Sequence, residues 1–253
     1  MSKFPIIKGA EPYFHHGNDI GILISHGFIG TPQSVLELAC LFAEGGFTVY
    51  APLLSGHGTD PEDLRKTSHK EWLEDIEEAY IYLQKRCKRI FVVGQSMGGT
   101  LTLALASKYK NISGIVLINP AIDIPFMEEM IKKSTETYIT DDKPDIKKEG
   151  VHEITYSRIP LISVSELVTL TNIVNKFLPH VRCPAQIFHS VIDHVVPPDN
   201  ASYIYRCIQS QHKSLQSLPN SYHVATMDHD LPMIAEDSLL FIKRHLHASS
   251  VHA

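Results

Sequence analysis

The run Ile90-Phe91-Val92-Val93-Gly94-Gln95-Ser96-Met97-Gly98-Gly99-Thr100-Leu101-Thr102-Leu103-Ala104-Leu105-Ala106 decides how this chain folds. Its first four residues are an apolar block of strand length. Its last seven read as a helix. Between them a serine sits in the pattern G-x-S-x-G. Strand, glycine-flanked serine and helix together are the setting of a nucleophile elbow, a sharp strand-to-helix turn. Such a turn has no room for side chains two residues either side of the serine, which accounts for the glycines. It also holds the serine Oγ out at the carboxyl end of the strand. The pattern alone is weak, since average Gly and Ser usage produces it in about one chain in ten of this length. The rest of the chain must supply a base, an orienting acid and an oxyanion site.

Outward from the elbow, strands and helices alternate. Ile20 to Ser25 reads as a buried strand, and Ser34 to Glu44 follows with helical spacing of Val35, Leu38, Ala39 and Phe42. Gly45-Gly46 stops that helix. Phe47 to Ala51 is the next strand. Trp72, Ile76, Ala79, Tyr80 and Leu83 then recur on one helical face. After the elbow helix comes the strand Ile115 to Ile118. This order predicts an α/β fold, with a mostly parallel central sheet and helices on both faces.

The alternation lapses from about Ala121 to Pro179, where no strand is evident. Two apolar helical stretches, Ile122 to Ile131 and Ile159 to Leu170, flank the polar tract Thr140 to Glu149, read as a solvated loop. The pattern resumes with a strand at Ala185 to Ser190, a helix from Pro198 or Asp199 to Ile208, a short strand at Leu215 to Leu218 and a last helix from about Leu231 to Leu246. The expected division is a core of residues 1–120 and 181–253 with a small cap inserted at 121–180.

Composition narrows the function. The chain has 253 residues, 43% of them hydrophobic, and a net charge of −5. One α/β domain of ordinary size fits that length. The charge has the wrong sign for nonspecific nucleic-acid binding. No apolar run reaches the eighteen or so residues of a membrane span. The opening Met1-Ser2-Lys3-Phe4-Pro5-Ile6-Ile7-Lys8 lacks an apolar signal-peptide core. Cys40, Cys87, Cys183 and Cys207 form no Cys-x-x-Cys pair, and Cys40 and Cys87 sit in helical patterns. A reduced, cytoplasmic compartment is expected. No His/Asp/Glu spacing suggests a metal, and no phosphate loop is present, so no cofactor is expected.

A serine hydroxyl needs a base within hydrogen-bond reach, and the base needs an acceptor that fixes its tautomer. Fifteen histidines are available, so position must select one. His223 lies between the last strand and the last helix, where the base belongs. His229 is the nearest rival, but its neighbours Asp228 and Asp230 suit a helix amino terminus. Asp193 follows the strand Ala185 to Ser190 and precedes the apolar Val195-Val196-Pro197-Pro198, which would shield its carboxylate. Asp199 is expected to cap the next helix. The oxyanion donors are expected to be the backbone N–H of Met97, after the serine, and that of Phe28, in Ser25-His26-Gly27-Phe28-Ile29-Gly30. His26 is read as shaping that loop, and His57 is given no catalytic or metal role.

With these pieces in place, the chain resembles the α/β-hydrolase superfamily. More narrowly, it is similar to the bacterial monoacylglycerol lipases and small thermostable carboxylesterases. The likeness spans nearly the whole chain. It rests on Leu23 to Pro32, Leu53 to Thr59, the elbow, Asp193-His194-Val195-Val196-Pro197-Pro198 and Asn220 to Thr226. The resemblance places a triad at Ser96, Asp193 and His223. It also implies an acidic cap residue that contacts the glycerol head of the substrate, and Val151 to Tyr156 points to Glu153. The alternative for Glu153 is an exposed position at a helix start. Gln95 departs from the Leu or His frequent in these proteins. The expected activity is hydrolysis of monoacylglycerols, with a lipid ester as the small-molecule partner. Phe126, Met127, Met130, Ile159, Leu161 and Leu167 are candidates for the acyl-chain channel. A general short-chain carboxylesterase shares this machinery, as does an acyltransferase or perhydrolase. A non-catalytic binding module of the same fold is the reading from another class.

Overall fold

At the centre of the computed structural model, which describes residues 4–140 and 143–247, lies β4 (Arg89–Gln95). It pairs in parallel with β2 (Ile20–Ser25) on one side and β5 (Gly114–Ile118) on the other. Beyond β2 come β3 (Thr48–Ala51) and the edge strand β1 (Tyr13–His15). Beyond β5 come β8 (Ala185–Ser190) and β9 (Lys213–Leu218). The order is β1-β3-β2-β4-β5-β8-β9, and only the β1–β3 pair is antiparallel. This is the α/β-hydrolase architecture that the sequence predicts.

Strand residues alternate between faces, and here both faces are covered, so the strands read as unbroken apolar runs. Phe91 and Val93 of β4 pack with Leu38 and Phe42 of α1 (Gln33–Glu44) and with Ile234 and Ile242 of α8 (Leu231–His247). Val92, facing the other way, shares a cluster with Trp72 and Ile76 of α3 (His69–Gln84), Leu101 of α4 (Met97–Lys108) and Ile204 of α7 (Asp199–Cys207). Helix α3 starts with a capping box: Ser68 bonds the first-turn amides while Glu71 returns to the Ser68 N–H. That arrangement satisfies two donors a helix start otherwise leaves unpaired.

Between β5 and β8 the chain forms α5 (Pro125–Lys133), β6 (Tyr138–Thr140), β7 (Arg158–Pro160) and α6 (Leu161–Asn175). The antiparallel β6–β7 pair corrects the expectation of no strand here. Each strand has three residues, too few for an alternating pattern to register. Edge strand β1 and the single-turn α2 (Pro61–Leu64) escape sequence reading for the same reason. Asp199 does not cap α7: Pro198 is the cap residue, and Asp199 lies in the first turn without a capping bond. Cys87 lies beyond the end of α3, against Gly21, rather than in a helix. Of the polar tract, Asp141 and Asp142 lie outside the described residues. Among the described residues, no helix is long and apolar enough to cross a membrane.

Candidate active site

Ser96 connects β4 to α4 with φ 57° and ψ −119°, a region that L side chains rarely adopt. The strain is held in place by its neighbours. The Ser96 N–H donates to Ile118 O at 2.9 Å, and its carbonyl accepts from Gly99 N–H at 2.9 Å. A Cβ at Gly94 would stand 2.1 Å from Gly98 O, and one at Gly98 would stand 2.2 Å from Ser25 O. Both distances are impossible contacts, so the turn closes only with glycine at each place.

His223 Nε2 lies 2.9 Å from Ser96 Oγ, and its Nδ1 lies 2.8 Å from Asp193 Oδ2. The structure therefore joins three residues that are 30 and 127 positions apart. Asp193 Oδ1 accepts the N–H groups of Val195 and Val196 at 2.8 and 2.7 Å. The Val-Val run thus contributes backbone donors as well as apolar shielding. The Asp193 side chain is 2% exposed. Burial pushes its pKa up, but attraction and the bond to His223, with the two valine amides, outweigh this and hold it below the usual carboxylate range. Burial likewise pulls His223 down. Attraction and the bond to Asp193, with Asp145 and Glu153 behind it, raise its pKa above the ordinary imidazole value. A neutral imidazole donating to Asp193 from Nδ1 presents Nε2 as an acceptor to the serine hydroxyl.

Rival His229 is not in this chain of bonds. Its neighbours stand at the start of α8, where Asp230 O accepts from Ile234 N–H at 3.0 Å, and their side chains also tie the adjoining loops. Asp230 accepts from Asn220, and Asp228 from the amides of Lys147, Lys148, Tyr222 and His229.

The loop after β2 runs beside the elbow, with a Cβ at Gly27 reaching 3.3 Å from Ser96 Cβ. His26 is fully buried, and burial together with neighbouring His57 lowers its pKa to about 3. Its Nε2 accepts from Leu54 N–H at 3.2 Å, so its Nδ1 is the protonated nitrogen and donates to Gly27 O at 2.9 Å. With that carbonyl held back, the N–H of the same trans peptide, belonging to Phe28, points the opposite way. Among the described residues neither Phe28 N–H nor Met97 N–H donates to a protein acceptor. Met97 begins α4, where first-turn amides lack intrahelical acceptors and the helix dipole favours negative charge. Next to Phe28, the β-branched Ile29 has φ 58°, a strained residue in this loop beside that of the elbow. His57 packs edge-on to Phe28 and Trp72, away from Ser96 and His223.

Ser96 and His223 open onto a cavity of about 300 Å³. Phe126, Met127, Met130, Ile159 and Leu167 line it, as expected. Leu161 does not; it faces a separate surface hollow with Arg65 and Ile162. Glu153 also lines the cavity and is 7% exposed, in an irregular stretch rather than at a helix start. Gln33 holds that stretch by bonding His152 O and Ile154 N–H, and Tyr156 anchors it to Gly56 and Thr59.

Sequence reading gave no role to three residues at the site. Asn119 (φ 44°) donates to His223 O at 2.7 Å and accepts from Ser190 N–H at 2.7 Å. Gln95 also donates to His223 O, at 3.2 Å, so its departure from Leu or His has a local function. Asp145, inside the tract read as solvated, accepts from His223 N–H at 3.1 Å. A polar residue ending a strand carries no periodic signal, and a charged tract reads as surface. Only the fold brings these three to His223.

Known proteins resemble this chain along nearly its whole length. The family described as serine aminopeptidase, S33, matches residues 18–230. The thermostable monoacylglycerol lipase of Bacillus sp. (strain H-257) is 44% identical over 245 residues, 96% of this chain and 98% of that one. The carboxylesterase of Bacillus subtilis (strain 168) is 27% identical over 241 residues, 92% of this chain and 96% of that one. A solved structure from the metagenome-derived lipolytic enzymes LipS and LipT superposes with a TM-score of 0.92. It is 41% identical and covers 95% of this chain and 100% of its own. The strand order, the elbow and these likenesses agree, and the chain belongs to the serine aminopeptidase S33 family of α/β hydrolases.

Proposed function

We propose that this chain is a serine esterase that cleaves monoacylglycerols to glycerol and fatty acid through an acyl-enzyme. The observation that carries the chemistry is the bonded series Ser96–His223–Asp193 at the floor of an apolar cavity. His223 takes the Ser96 proton as Oγ attacks the ester carbonyl, and Asp193 holds the imidazolium that forms. The amides of Phe28 and Met97 stabilise the oxyanion, each donor contributing roughly 3–4 kcal/mol in such sites. His223 then protonates the departing glycerol oxygen. It next takes a proton from water as that water attacks the acyl-enzyme, and hands it to Ser96 Oγ as the bond from Oγ to the acyl carbon breaks and frees the acid.

The substrate reading rests on likeness to a monoacylglycerol lipase along the whole chain, and on the cavity's two chemistries. Residues 121–180 serve as a cap over a core of 1–120 and 181–253. The methionines and aliphatic residues of the cap take the acyl chain. Glu153 accepts hydrogen bonds from the glycerol head. A site this small under a cap favours one acyl chain over two or three. Four free cysteines fit a cytoplasmic setting.

The test is a rate comparison across mono-, di- and triacylglycerols of matched acyl chain, beside a Ser96→Ala control. Mono should be preferred by roughly tenfold or more, and Ser96→Ala should keep less than about a thousandth of the rate. Equal rates across the three would leave only a general carboxylesterase. A Ser96→Ala protein with a tenth of wild-type turnover would remove the nucleophile assignment.

A further inference from the structure

We propose that Asp145, carried by the inserted segment, is a positioning residue that locks the acid-bearing turn and the base-bearing loop into one geometry. The inference rests on the reading of His223 as the base. One Asp145 carboxylate oxygen accepts from His194 N–H at 3.0 Å and from His223 N–H at 3.1 Å. The other lies 2.7 Å from His194 Nδ1. Asp145 also accepts from Val224 N–H at 3.1 Å through its backbone carbonyl. A single residue thus contacts the positions directly after Asp193 and directly around His223.

The bracing is reciprocal. Core residue Asp228 accepts the N–H groups of Lys147 and Lys148 at 2.7 and 3.0 Å, next to Asp145 in the chain. Its Oδ2 also accepts from Tyr222 N–H at 3.0 Å, one residue before His223. The strap 145–148 is therefore fixed to the core from both directions. Around His223 every polar group has a partner. The N–H goes to Asp145, the carbonyl accepts from Asn119 and Gln95, Nδ1 meets Asp193 and Nε2 meets Ser96. The backbone on the N–H side depends on Asp145, which is not in the core sheet but in the insertion. Without it, the N–H of a nearly buried residue is left unpaired, and the loop can rotate the ring away from the serine. Displacement of a reacting group by about 1 Å can cost on the order of a hundredfold in rate.

Two substitutions separate geometry from charge. Asp145→Ala removes all the side-chain bonds. Asp145→Asn keeps one oxygen for the two backbone N–H groups and offers an amide N–H to His194 Nδ1, which accepts as its other tautomer. On a p-nitrophenyl ester, Asp145→Ala should lower kcat by about tenfold or more while KM changes less than about threefold. Asp145→Asn should recover most of that loss. Its acid limb of kcat/KM should move down by about half a pH unit, because one carboxylate near His223 is gone. Of the other groups near His223, Asp193, Glu153 and Ser96 are unchanged, and His194 changes only its tautomer. An Asp145→Ala enzyme within about twofold of wild type overturns the proposal. So does an Asp145→Asn enzyme no better than Asp145→Ala. Should Asp145→Ala fail to fold by thermal unfolding, Asp145→Glu decides, since it keeps the charge but displaces the carboxylate by one methylene, and a kcat within about twofold of wild type overturns the proposal. Ser96→Ala, run beside these, separates the two ideas. Turnover in Ser96→Ala sinks the reading of the site, whereas a dead Ser96→Ala with an unimpaired Asp145→Ala sinks only the role of Asp145.

Discussion

Asp193→Asn should remove activity by inverting a tautomer while leaving the fold intact. In the native site Asp193 Oδ1 accepts two amides, from Val195 and Val196, and Oδ2 faces His223 Nδ1. An asparagine can orient only one way there. Its oxygen must stay on the two valine amides, since turning its NH₂ toward them would set donors against donors. The NH₂ then faces Nδ1, which must become an acceptor. The proton moves to Nε2, which donates to Ser96 Oγ and can no longer take its proton. Two losses add. The charge-assisted bond to the imidazolium contributes about 1.5–3 kcal/mol, and restoring the working tautomer leaves a buried donor unpaired at a similar cost. A barrier higher by roughly 3–6 kcal/mol lowers kcat by about 10²- to 10⁴-fold. The upper end matches the loss when the same change is made in a chymotrypsin-type triad. The assay is steady-state hydrolysis of a p-nitrophenyl ester, with thermal unfolding on the same samples. A variant within about tenfold of wild-type kcat, at an unchanged melting temperature, would falsify the tautomer reasoning.

Glu153→Ala should raise KM for a monoacylglycerol by about tenfold, one lost charged hydrogen bond, and much less for a p-nitrophenyl ester; equal changes would deny Glu153 a head-group contact. The acid limb of kcat/KM should lie above the ordinary histidine value of 6.5, because His223 is raised and only its neutral form accepts the proton; a limb below that value contradicts the proposed pairing. Gly98→Ala should abolish labelling by a fluorophosphonate or prevent folding, since its Cβ would stand 2.2 Å from Ser25 O; normal labelling would show that the turn has room to give.

What could be read from the sequence follows from what backbone geometry forces. The buried strands were legible because both faces are covered, which turns alternation into unbroken runs such as Ile90 to Val93. The proposed triad of Ser96, Asp193 and His223 was legible because the carboxyl ends of β4, β8 and β9 lie along one end of a parallel sheet, so chain order becomes spatial order. The same logic fails for Asp145. It belongs to no strand end, and its tract has the charge of solvent-exposed chain. Its bonds to His194 and His223 span 49 and 78 residues, and nothing local encodes them. Asn119 differs again. It follows β5 where the rule points, but a buried asparagine serving two loops has no pattern beyond its position.

Three buried histidines show that the partner, and not burial alone, sets the direction in which an imidazole shifts. His26, His57 and His223 are 0%, 1% and 6% exposed. Burial disfavours the charged form in all three. In His26 and His57 it prevails, and their pKa values fall to about 3 and about 4. The bonds of these two run to backbone groups, which offer no full negative charge. His223 moves the opposite way because the Asp193 carboxylate is bonded to it, with Asp145 and Glu153 nearby. The consequences for stability are opposite in sign as well. His26 and His57, depressed in the fold, weaken it as pH drops below 6.5 toward 4, where the unfolded chain takes up protons that the native one refuses. His223, raised in the fold, strengthens it below 6.5, and that contribution disappears as pH climbs through its native pKa. With His223 as the proposed base, the enzyme works only after that climb, when the imidazole is neutral. The carboxylates that orient the base therefore also shift its working range upward, and the site is most active where this one interaction contributes least to holding the fold together.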